Sequence, residues 1–393
     1  MSCPRKFGAL GPGSPDREIR LKAELARQEL DLWVRRYGFN STSYVLLEGP
    51  KSYFTSPKVD GCIAYQRTAG VAVVGGDPLC SLGDTRDLLS DFLNAIKHRG
   101  VAAYNVSPRM LPAFREAGFR DIQIGKEAIF DLRRFTLQGG EMELVRAAVN
   151  KAWREGIVVA EHDPFEREAT KTNDELHEVS EEWLKSKGEY ELGFLLGSLG
   201  LERPSAKRYF VARSGYGKGR IEGFIVCEPI YGRNGYYLDV TRRRTNAVRG
   251  TMEVLTTEIF RILREEGYEM ASMGLAPLAL LDDDDLNEHP RLVRLMRYLY
   301  ERSNIGYDFK SLFRYKTKFH PHSWEPRYLC FNRTRLSMRI IFAVIQVRKP
   351  GCFADIVNLR RKEMKATDGM FESWRQAASF VVGLCAAILS SPS

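Results

Sequence analysis

Cysteine and histidine are scarce in this sequence, and neither is grouped in a way that would hold a metal ion. The 393 residues include seven cysteines and six histidines. They form no CxxC pair, no cysteine–histidine cluster at zinc spacing and no Ser-His-Asp arrangement. An odd number of widely spaced cysteines indicates reduced thiols and a cytosolic protein. We therefore expect neither a metal site nor a serine-hydrolase triad.

Long hydrophobic runs are missing as well. Arg5 and Lys6 near the N-terminus are not followed by the apolar stretch of a secretory signal. The longest apolar run, residues 377–389, is too short to cross a hydrocarbon core of about 30 Å. The sequence thus predicts no cleaved signal and no membrane span.

Basic residues outnumber acidic ones, with 59 Lys and Arg against 50 Asp and Glu and a formal net charge of +9. This excess favours an anionic partner without identifying it. Apolar residues make up 44% of the chain, enough for ordinary buried cores. The length predicts two or three domains.

The order of predicted elements repeats once along the chain. Each half has a helix, three strands, a long helix, a strand, a second helix and a strand. This order predicts an α/β protein with a mixed sheet in each half, and it resembles tandem acetyltransferase-like domains of the GCN5-related N-acetyltransferase type. The predicted segments are a disordered N-terminus (1–17), a first domain (18–138), a linker helix (139–156), a second, catalytic domain (157–335) and a tail (336–393).

The sequence predicts the bounds of individual helices and strands. In the first half the sequence predicts a helix at 18–37, strands at 44–47, 61–65 and 71–75, and two short strands at 119–124 and 127–132. In the second half it predicts a helix at 290–303 and a last strand at 327–331.

The linker helix, predicted over 141–155, has an apolar face and a basic face. The apolar face consists of Met142, Val145, Val149 and Trp153. The opposite face carries Arg146, Asn150, Lys151 and Arg154. This second face is either the solvated side of a connector or a ridge that contacts phosphates.

A loop rich in arginine follows the strand that ends near residue 240. In single-domain acetyltransferases the matching loop is glycine-rich and holds the pyrophosphate of coenzyme A against a helix N-terminus. Here the glycine pair is replaced by Arg242, Arg243, Arg244 and Arg249, which argues against acetyl-CoA as donor. Asp239 and Arg242 either face one cleft, where the aspartate would orient an ammonium group, or form a local ion pair.

Cations alternate with aromatic residues after position 309. The cations are Lys310, Arg314, Lys316 and Lys318, and the aromatic residues are Phe309, Phe313, Tyr315 and Phe319. This mixture suits a polyanion with stackable parts, such as RNA or a phospholipid head group. A solvated basic helix with an aromatic core face is the alternative. His320 and His322 are interpreted as packing or phosphate contacts, and the acidic run at 282–285 as a solvated loop.

These segments belong to a longer ordered set of motifs over about residues 20–332. The set comprises Gly76-Asp77-Pro78, Arg146 with Asn150, Glu182-Trp183 with Glu191 and Phe194, Asp239-x-x-Arg242, Gly250-x-Met252, Gly274-Leu275-Ala276-Pro277-Leu278, and Lys316-x-Lys318-Phe319 with Trp324-Glu325-Pro326-Arg327-Tyr328-Leu329. Together they resemble the cytosolic catalytic domain of the phosphatidylglycerol lysyltransferases, also called multiple peptide resistance factors.

The resemblance implies two acetyltransferase-like domains and a transfer reaction. A hydroxyl of a membrane lipid, commonly phosphatidylglycerol, would attack the aminoacyl ester of a charged tRNA, giving an aminoacyl lipid and free tRNA. No cofactor is implied beyond aminoacyl-tRNA as co-substrate, because the donor ester is already activated. Lysine is the commonest amino acid in the family. The implied location is cytoplasmic, peripheral at the inner face of an anionic membrane.

From the chemistry of this transfer we predict roles for site residues. Asp239 would bind the α-ammonium group or orient Arg242, while Arg242 and Lys318 would contact the ester or a phosphate. Glu325 would recognise the aminoacyl group. The residues predicted to contact tRNA phosphates are Arg146, Lys151 and Arg154. Further predicted substrate-binding residues are Asn150, Arg243, Lys316 and Arg327.

Two departures from the family and one membrane contact complete the prediction. We expect a form without the flippase region that precedes this domain in the best-known members, and Arg249 stands where the family usually has proline before Gly250. Residues 336–347, with the basic residues beyond them, are interpreted either as an interfacial helix or as a helix packed on the body or on a second copy.

Three other functions stay open. A tRNA-dependent ligase that builds peptide bridges on a cell-wall precursor has the same fold and donor. A non-catalytic tRNA-binding protein would keep the basic face alone. An acetyl-CoA-dependent acetyltransferase is disfavoured by the missing glycine pair.

Overall fold

The computed structural model describes residues 27–49, 51–96, 100–187, 197–201, 206–277, 279–281, 309–333 and 336–348. The predicted helix at 290–303, the acidic run at 282–285, and the motif residues Glu191 and Phe194 lie outside these stretches. The predicted helix at 18–37 is described from residue 27 onward, as helix α1 (27–37).

The first half follows the predicted order, with one added strand. Its strands are β1 (Ser52–Ser56), β2 (Val59–Thr68), β3 (Val71–Gly75), β4 (Gly100–Val106) and β5 (Arg120–Asp131), and its further helices are α2 (Thr85–Ile96) and α3 (Leu111–Glu116). The strand predicted at 44–47 is wrong, because these residues form a 3₁₀ helix in which Tyr44, Val45 and Leu46 are all buried. Periodicity does not distinguish a strand from a helix in such a continuous apolar run.

The second half contains six strands and five helices within the described residues. The strands are β6 (Val158–His162), β7 (Arg208–Arg213), β8 (Ile221–Ile230), β9 (Gly235–Arg243), β10 (Met270–Pro277) and β11 (Ser323–Phe331). The helices are α4 (Glu143–Arg154), α5 (Thr170–Lys187), α6 (Thr251–Glu265), α7 (Phe309–Thr317) and α8 (Met338–Arg348).

All these strands belong to one mixed sheet in the order β1-β2-β3-β4-β11-β5-β10-β9-β8-β7-β6. β3 and β4 are parallel neighbours, as are β9 and β10. Parallel neighbours require a crossover, which α2 and α6 supply. The predicted α/β class with mixed strand directions is confirmed, although the two halves share a single sheet.

The last strand of each half pairs with the other half. β5 lies antiparallel to β10, and β11 inserts between β4 and β5, antiparallel to both. This exchange places Glu325 of β11 directly opposite Glu127 of β5. Charged side chains from both halves therefore meet at the centre of the sheet.

β5 is one long strand, although the sequence predicts two short ones separated near Gly125. In the sheet Gly125 lies opposite Arg327 of β11 and Pro277 of β10. Because neighbours on both sides continue the ladder, the glycine does not form a turn. The local irregularity is a bulge, seen as a register shift in β11 between Arg327 and Tyr328.

Helices cover both faces of the sheet. Along β8, Ile225 packs into the core shared with α4 and α6, whereas the next residue, Val226, packs into the core beneath α5. Successive side chains of a strand point to opposite faces, so α6 and α5 lie on opposite sides. α2 packs on β1 and β2, and α8 on β2, β3 and β4.

Helix α8 is part of the body of the protein. Ile340, Ala343 and Val344 are buried in the core with β2, β3 and β4. Gln346 accepts a hydrogen bond from Thr68 at 3.1 Å. The packed alternative thus describes α8, in which Ile341 and Phe342 are half-buried and Ile345 is exposed. No helix within the described stretches has the length and hydrophobicity needed to span a membrane.

Replacing Ile340 by alanine is expected to lower the free energy of unfolding by about 2–4 kcal/mol, because the side chain is 1% exposed and its loss leaves a cavity. The same substitution at Ile345 of the same helix, 43% exposed, is expected to cost less than about 1 kcal/mol. Urea denaturation of both variants measures the difference. If both variants lose the same small amount of unfolding free energy, the result would contradict the packing of α8.

Candidate functional site

A bulge in the middle of β9 positions Asp239. Cys227 of β8 pairs with Leu238 and Val226 pairs with Val240, so Asp239 is an extra residue without a partner in register. Bulges reorient a side chain relative to regular alternation. The Oδ2 atom of Asp239 accepts a hydrogen bond from the backbone N–H of Gly197 at 2.7 Å. A Cβ atom on Gly197 would lie 2.1 Å from that oxygen, so only glycine fits there.

Asp239 belongs to a cluster of acidic and basic side chains from both halves. Lys207, which precedes β7, forms ion pairs with Glu48 and, at 3.3 Å, with Glu228 of β8. Its ammonium also donates to the carbonyl of Ser198 at 2.6 Å. We call Glu48, Lys207, Glu228 and Asp239 the acidic cluster.

The electrostatics of the acidic cluster show an excess of carboxylate. Burial raises the pKa of Asp239, and burial together with the neighbouring Asp239 raises the pKa of Glu228 well above its usual range. Burial alone would lower the pKa of Lys207, but Glu228 and Glu48 raise it overall. Burial lowers the pKa of nearby Lys51 to about 8. Three carboxylates crowded around these lysines would be stabilised by an additional cation.

Sequence reasoning identified Asp239 but missed Glu48, Lys207 and Glu228. One signal was present, since Glu228 follows the apolar run Phe224-Ile225-Val226-Cys227. Charged residues are rarely fully buried unless they are paired. Glu48 and Lys207 lie outside the strands, and only the fold brings them together.

Helix α5 fixes the arginine loop, whose first residues Arg242 and Arg243 belong to β9 because the strand extends past its predicted end near residue 240. The guanidinium of Arg242 lies 4.0 Å from the ring centroid of Trp183, a cation–π contact. Arg244 donates to Glu182 at 3.1 Å and to the carbonyl of Ile221 at 2.8 Å. The motif Glu182-Trp183 therefore holds this loop in place. Arg243 is exposed at the surface, as is Arg249.

A second buried network joins the two halves at the centre of the sheet. Arg327, 1% exposed, pairs with Glu127 at 2.5 Å and with Glu325 at 3.2 Å. Glu325 also accepts two hydrogen bonds from Arg233, at 2.7 and 2.9 Å. Burial would raise the pKa of Glu325, but these arginines lower it overall. Arg327 and Glu325 are thus engaged with protein groups, and their predicted contacts with substrate stay predictions.

The two predicted lysines of the basic segment point to different neighbours. Lys316 is 4% exposed and donates to the carbonyls of Gly274 and Leu275 at 2.8 and 2.7 Å, which pins the bulge of β10. Lys318 pairs with Glu253 of α6 and lies 4.2 Å from the ring centroid of Tyr315. Lys318 is therefore partly accessible, whereas Lys316 supports the strand.

Lys316 gives a testable dependence of stability on pH. Burial lowers its pKa from 10.5 to about 7, so between these values the unfolded state binds one proton more than the folded state. Stability should then rise with pH in this window, by at most about 1.4 kcal/mol per pH unit. We expect the free energy of unfolding of the wild type to rise relative to Lys316→Met across that window. A pH-independent difference in urea denaturation would contradict the lowered pKa of Lys316.

The predicted basic face of α4 is partly confirmed. Asn150, Lys151 and Arg154 are exposed. Arg146 instead donates to the carbonyls of Leu137 and Gly139, at 2.5 and 3.0 Å, and fixes the turn before the helix.

The predicted apolar face of α4 is wrong at one position. Trp153 is 46% exposed, and Ala152 takes its place against α6. The reason is the close approach of Gly250, where an added Cβ would lie 2.2 Å from the carbonyl oxygen of Ala148 and 3.2 Å from Ala152. Only a small side chain fits at position 152.

Comparison with known proteins gives consistent matches over most of the chain. The model of a family described as "Phosphatidylglycerol lysyltransferase, C-terminal" matches residues 33–331. Proteins named phosphatidylglycerol lysyltransferase are similar in sequence, with 27% identity over 84% of this chain in Staphylococcus aureus (strain COL) and 29% over 77% in Staphylococcus epidermidis (strain ATCC 35984). The matched parts cover 38% and 35% of those relatives, so this chain spans well under half of their length.

Solved structures of similar proteins agree. The C-terminal domain of a putative lysylphosphatidylglycerol synthetase from Agrobacterium fabrum matches with a TM-score of 0.71 and 26% identity, covering 84% of this chain and 98% of that one. The structure of L-PGS from Bacillus licheniformis matches with a TM-score of 0.67 and 26% identity, covering 82% and 96%.

Proposed function

Because this chain belongs to the family described as "Phosphatidylglycerol lysyltransferase, C-terminal", we propose that it transfers an aminoacyl group, most simply lysyl, from a charged tRNA to a hydroxyl of a membrane lipid such as phosphatidylglycerol. The family resemblance read from the sequence is confirmed by this match. The matched part covers 38% of the S. aureus relative, and for this reason the activity of that relative is proposed for this chain.

The observation that carries the proposal is the acidic cluster. An aminoacyl group bears an ammonium, and a site that recognises it needs desolvated carboxylates whose charge is not already neutralised. Glu48, Glu228 and Asp239 supply three carboxylates near the two ammonium groups of Lys207 and Lys51. Asp239 lies at the bulge of β9, next to the arginine loop, where a donor would be held. We assign the aminoacyl ammonium to Asp239.

The reaction needs positioning and charge stabilisation more than activation. The lipid hydroxyl oxygen would attack the ester carbonyl, the bond to the terminal ribose oxygen would break, and the hydroxyl proton would pass to that ribose oxygen. Cations near the developing oxyanion lower the barrier. Arg242, held on Trp183, and Lys318 are the proposed donors of this charge. No cofactor is proposed.

The proposed partners follow from surface charge. The net charge of +9 and the exposed Lys151, Arg154 and Arg243 suit tRNA phosphates, and such contacts would make binding sensitive to salt. The lipid acceptor would require peripheral contact with an anionic membrane.

The product identifies the reaction. Purified protein is incubated with phosphatidylglycerol vesicles and charged tRNA, and the lipid extract is analysed by mass spectrometry before and after mild base. We expect lysyl lipid whose ester is lost in base. A base-stable amide on a cell-wall precursor would instead identify the peptide-bridge ligase, and tRNA binding without any product would identify an RNA-binding protein.

A further inference from the structure

A cleft of about 420 Å³ lies away from the acidic cluster. One wall is the segment between β5 and α4, including Arg134, Thr136 and Gln138. The other wall is the connection from α7 to β11 with the start of that strand, including His322 and Trp324. This connection continues the stretch in which cations alternate with aromatic residues. Lys318, which has a proposed role in the transfer, belongs to the connection but does not line the cleft, and the proposed transfer chemistry uses none of the lining residues.

Both walls of the cleft are held by hydrogen bonds. Arg146 donates to the carbonyls of Leu137 and Gly139 and fixes the first wall. The ring nitrogen Nδ1 of His322 accepts a hydrogen bond from the backbone N–H of Asp131 at 3.2 Å and ties the second wall to the end of β5. A cleft fixed in this way needs little ordering before a ligand binds.

The groups that line the cleft combine one cation with neutral hydrogen-bonding side chains and an aromatic ring. Arg134 is exposed and supplies the charge. Because Nδ1 of His322 accepts a hydrogen bond, the neutral ring carries its proton on Nε2 and can donate it. One neighbour of Trp324 is Phe313, at 5.2 Å between ring centroids. The single acid is Glu141, which lies 3.6 Å from His320.

We propose that this cleft binds one unpaired ribonucleotide of the donor RNA, with the base against Trp324 and the phosphate at Arg134. The inference rests on the proposed function for the identity of the RNA. Unpaired bases are recognised by stacking on aromatic side chains and by hydrogen bonds to their edges. Gln138 and Thr136 supply such hydrogen bonds here, and the volume suits a single nucleotide.

The position of helix α4 supports the binding of RNA along its length. The helix begins beside the cleft, at Glu143, and its exposed Lys151 and Arg154 lie near the other end, roughly 12–16 Å away at 1.5 Å per residue. A strand that leaves its unpaired end in the cleft could place the phosphates of the following duplex against these cations.

Arg134→Ala tests the proposal, with Arg133→Ala as the matched control. Arg133 is the preceding exposed arginine, but it pairs with Asp131 and Glu269 at 3.3 and 3.5 Å and does not line the cleft. Binding of uncharged tRNA is measured by filter retention at fixed salt, with intact tRNA and with tRNA trimmed of its single-stranded 3′ end. AMP is the free-nucleotide probe, and thermal unfolding checks that both variants fold.

We expect Arg134→Ala to weaken binding of intact tRNA by about 5–20-fold, the loss of one charged hydrogen bond, and Arg133→Ala to change it less than twofold. Trimmed tRNA should bind the wild type and Arg134→Ala equally. Equal binding of intact tRNA by the wild type and Arg134→Ala would overturn the proposal. An equal loss of affinity for trimmed tRNA in Arg134→Ala would also overturn it, because that result would indicate general charge attraction. An Arg134-dependent affinity for AMP with unchanged tRNA binding would assign the cleft to a soluble nucleotide instead.

The assay needs no transfer, so it separates the two claims. If tRNA binding depends on Arg134 while no aminoacyl lipid forms, the cleft inference stands and the proposed reaction falls. If lipid is aminoacylated but tRNA binding does not depend on Arg134, the proposed reaction stands and the cleft inference falls.

Discussion

Replacing Asp239 by asparagine is expected to reduce aminoacyl transfer to lipid by about 100-fold or more, while the protein stays folded. The substitution removes the carboxylate assigned to the aminoacyl ammonium, and losing one partner of a desolvated charge pair costs roughly 2–5 kcal/mol. Asparagine keeps an oxygen that accepts the hydrogen bond from Gly197. It also relieves repulsion with Glu228, whose pKa is raised partly by Asp239.

The free energy of unfolding therefore distinguishes a functional role from a structural one. We expect Asp239→Asn to unfold at a urea concentration equal to or above that of the wild type. Asp174→Asn, which changes an exposed carboxylate on the neighbouring helix α5, is the control and should leave both properties unchanged. A variant at position 239 that keeps more than half of the wild-type turnover would remove the assigned role.

Replacing Gly250 by alanine is expected to lower the free energy of unfolding by about 3 kcal/mol or more. Gly250 has φ of 96° at the start of α6, where a side chain is strained. An added Cβ would also lie 2.2 Å from the carbonyl oxygen of Ala148. Backbone strain and overpacking each cost about 1–3 kcal/mol. Because α6 follows the arginine loop, activity should fall as well.

Gly267→Ala separates the two causes. Gly267 has φ of 87°, but a Cβ there would meet nothing within 4 Å. Its substitution should cost only the backbone strain, about 1–2 kcal/mol. Equal losses at both positions in urea denaturation would show that α4 does not press against Gly250 as described.

The sequence predicted local elements better than their pairing. The strand predicted at 71–75 coincides with β3 because an apolar run bounded by turn residues specifies a strand locally. The insertion of β11 between β4 and β5 was not predicted, because strand order in a sheet depends on contacts between residues far apart in the chain. The exposure of Trp153 was not predicted for a similar reason, because the packing of α4 depends on Gly250, nearly 100 residues later.

The candidate site was predictable to the same extent. Asp239 and Arg242 were visible as charged residues at a strand end before a helix start. Their partners Glu48, Lys207 and Trp183 come from three other segments, and the bulge that displaces Asp239 from the regular alternation of β9 has no sequence signature. Arg327 and Lys316 looked like surface cations by residue type, yet the exchange of β5 and β11 and the bulge of β10 bury them.

Transfer of label from tRNA to lipid tests the central claim most directly. The purified protein is incubated with phosphatidylglycerol vesicles and tRNA charged with radiolabelled lysine, and label in the organic phase is counted with and without RNase pretreatment. We predict label in the lipid that RNase abolishes and that Asp239→Asn reduces to near background. Lipid label that survives RNase, or its absence while the wild-type protein binds the charged tRNA, would contradict tRNA-dependent aminoacylation of lipid.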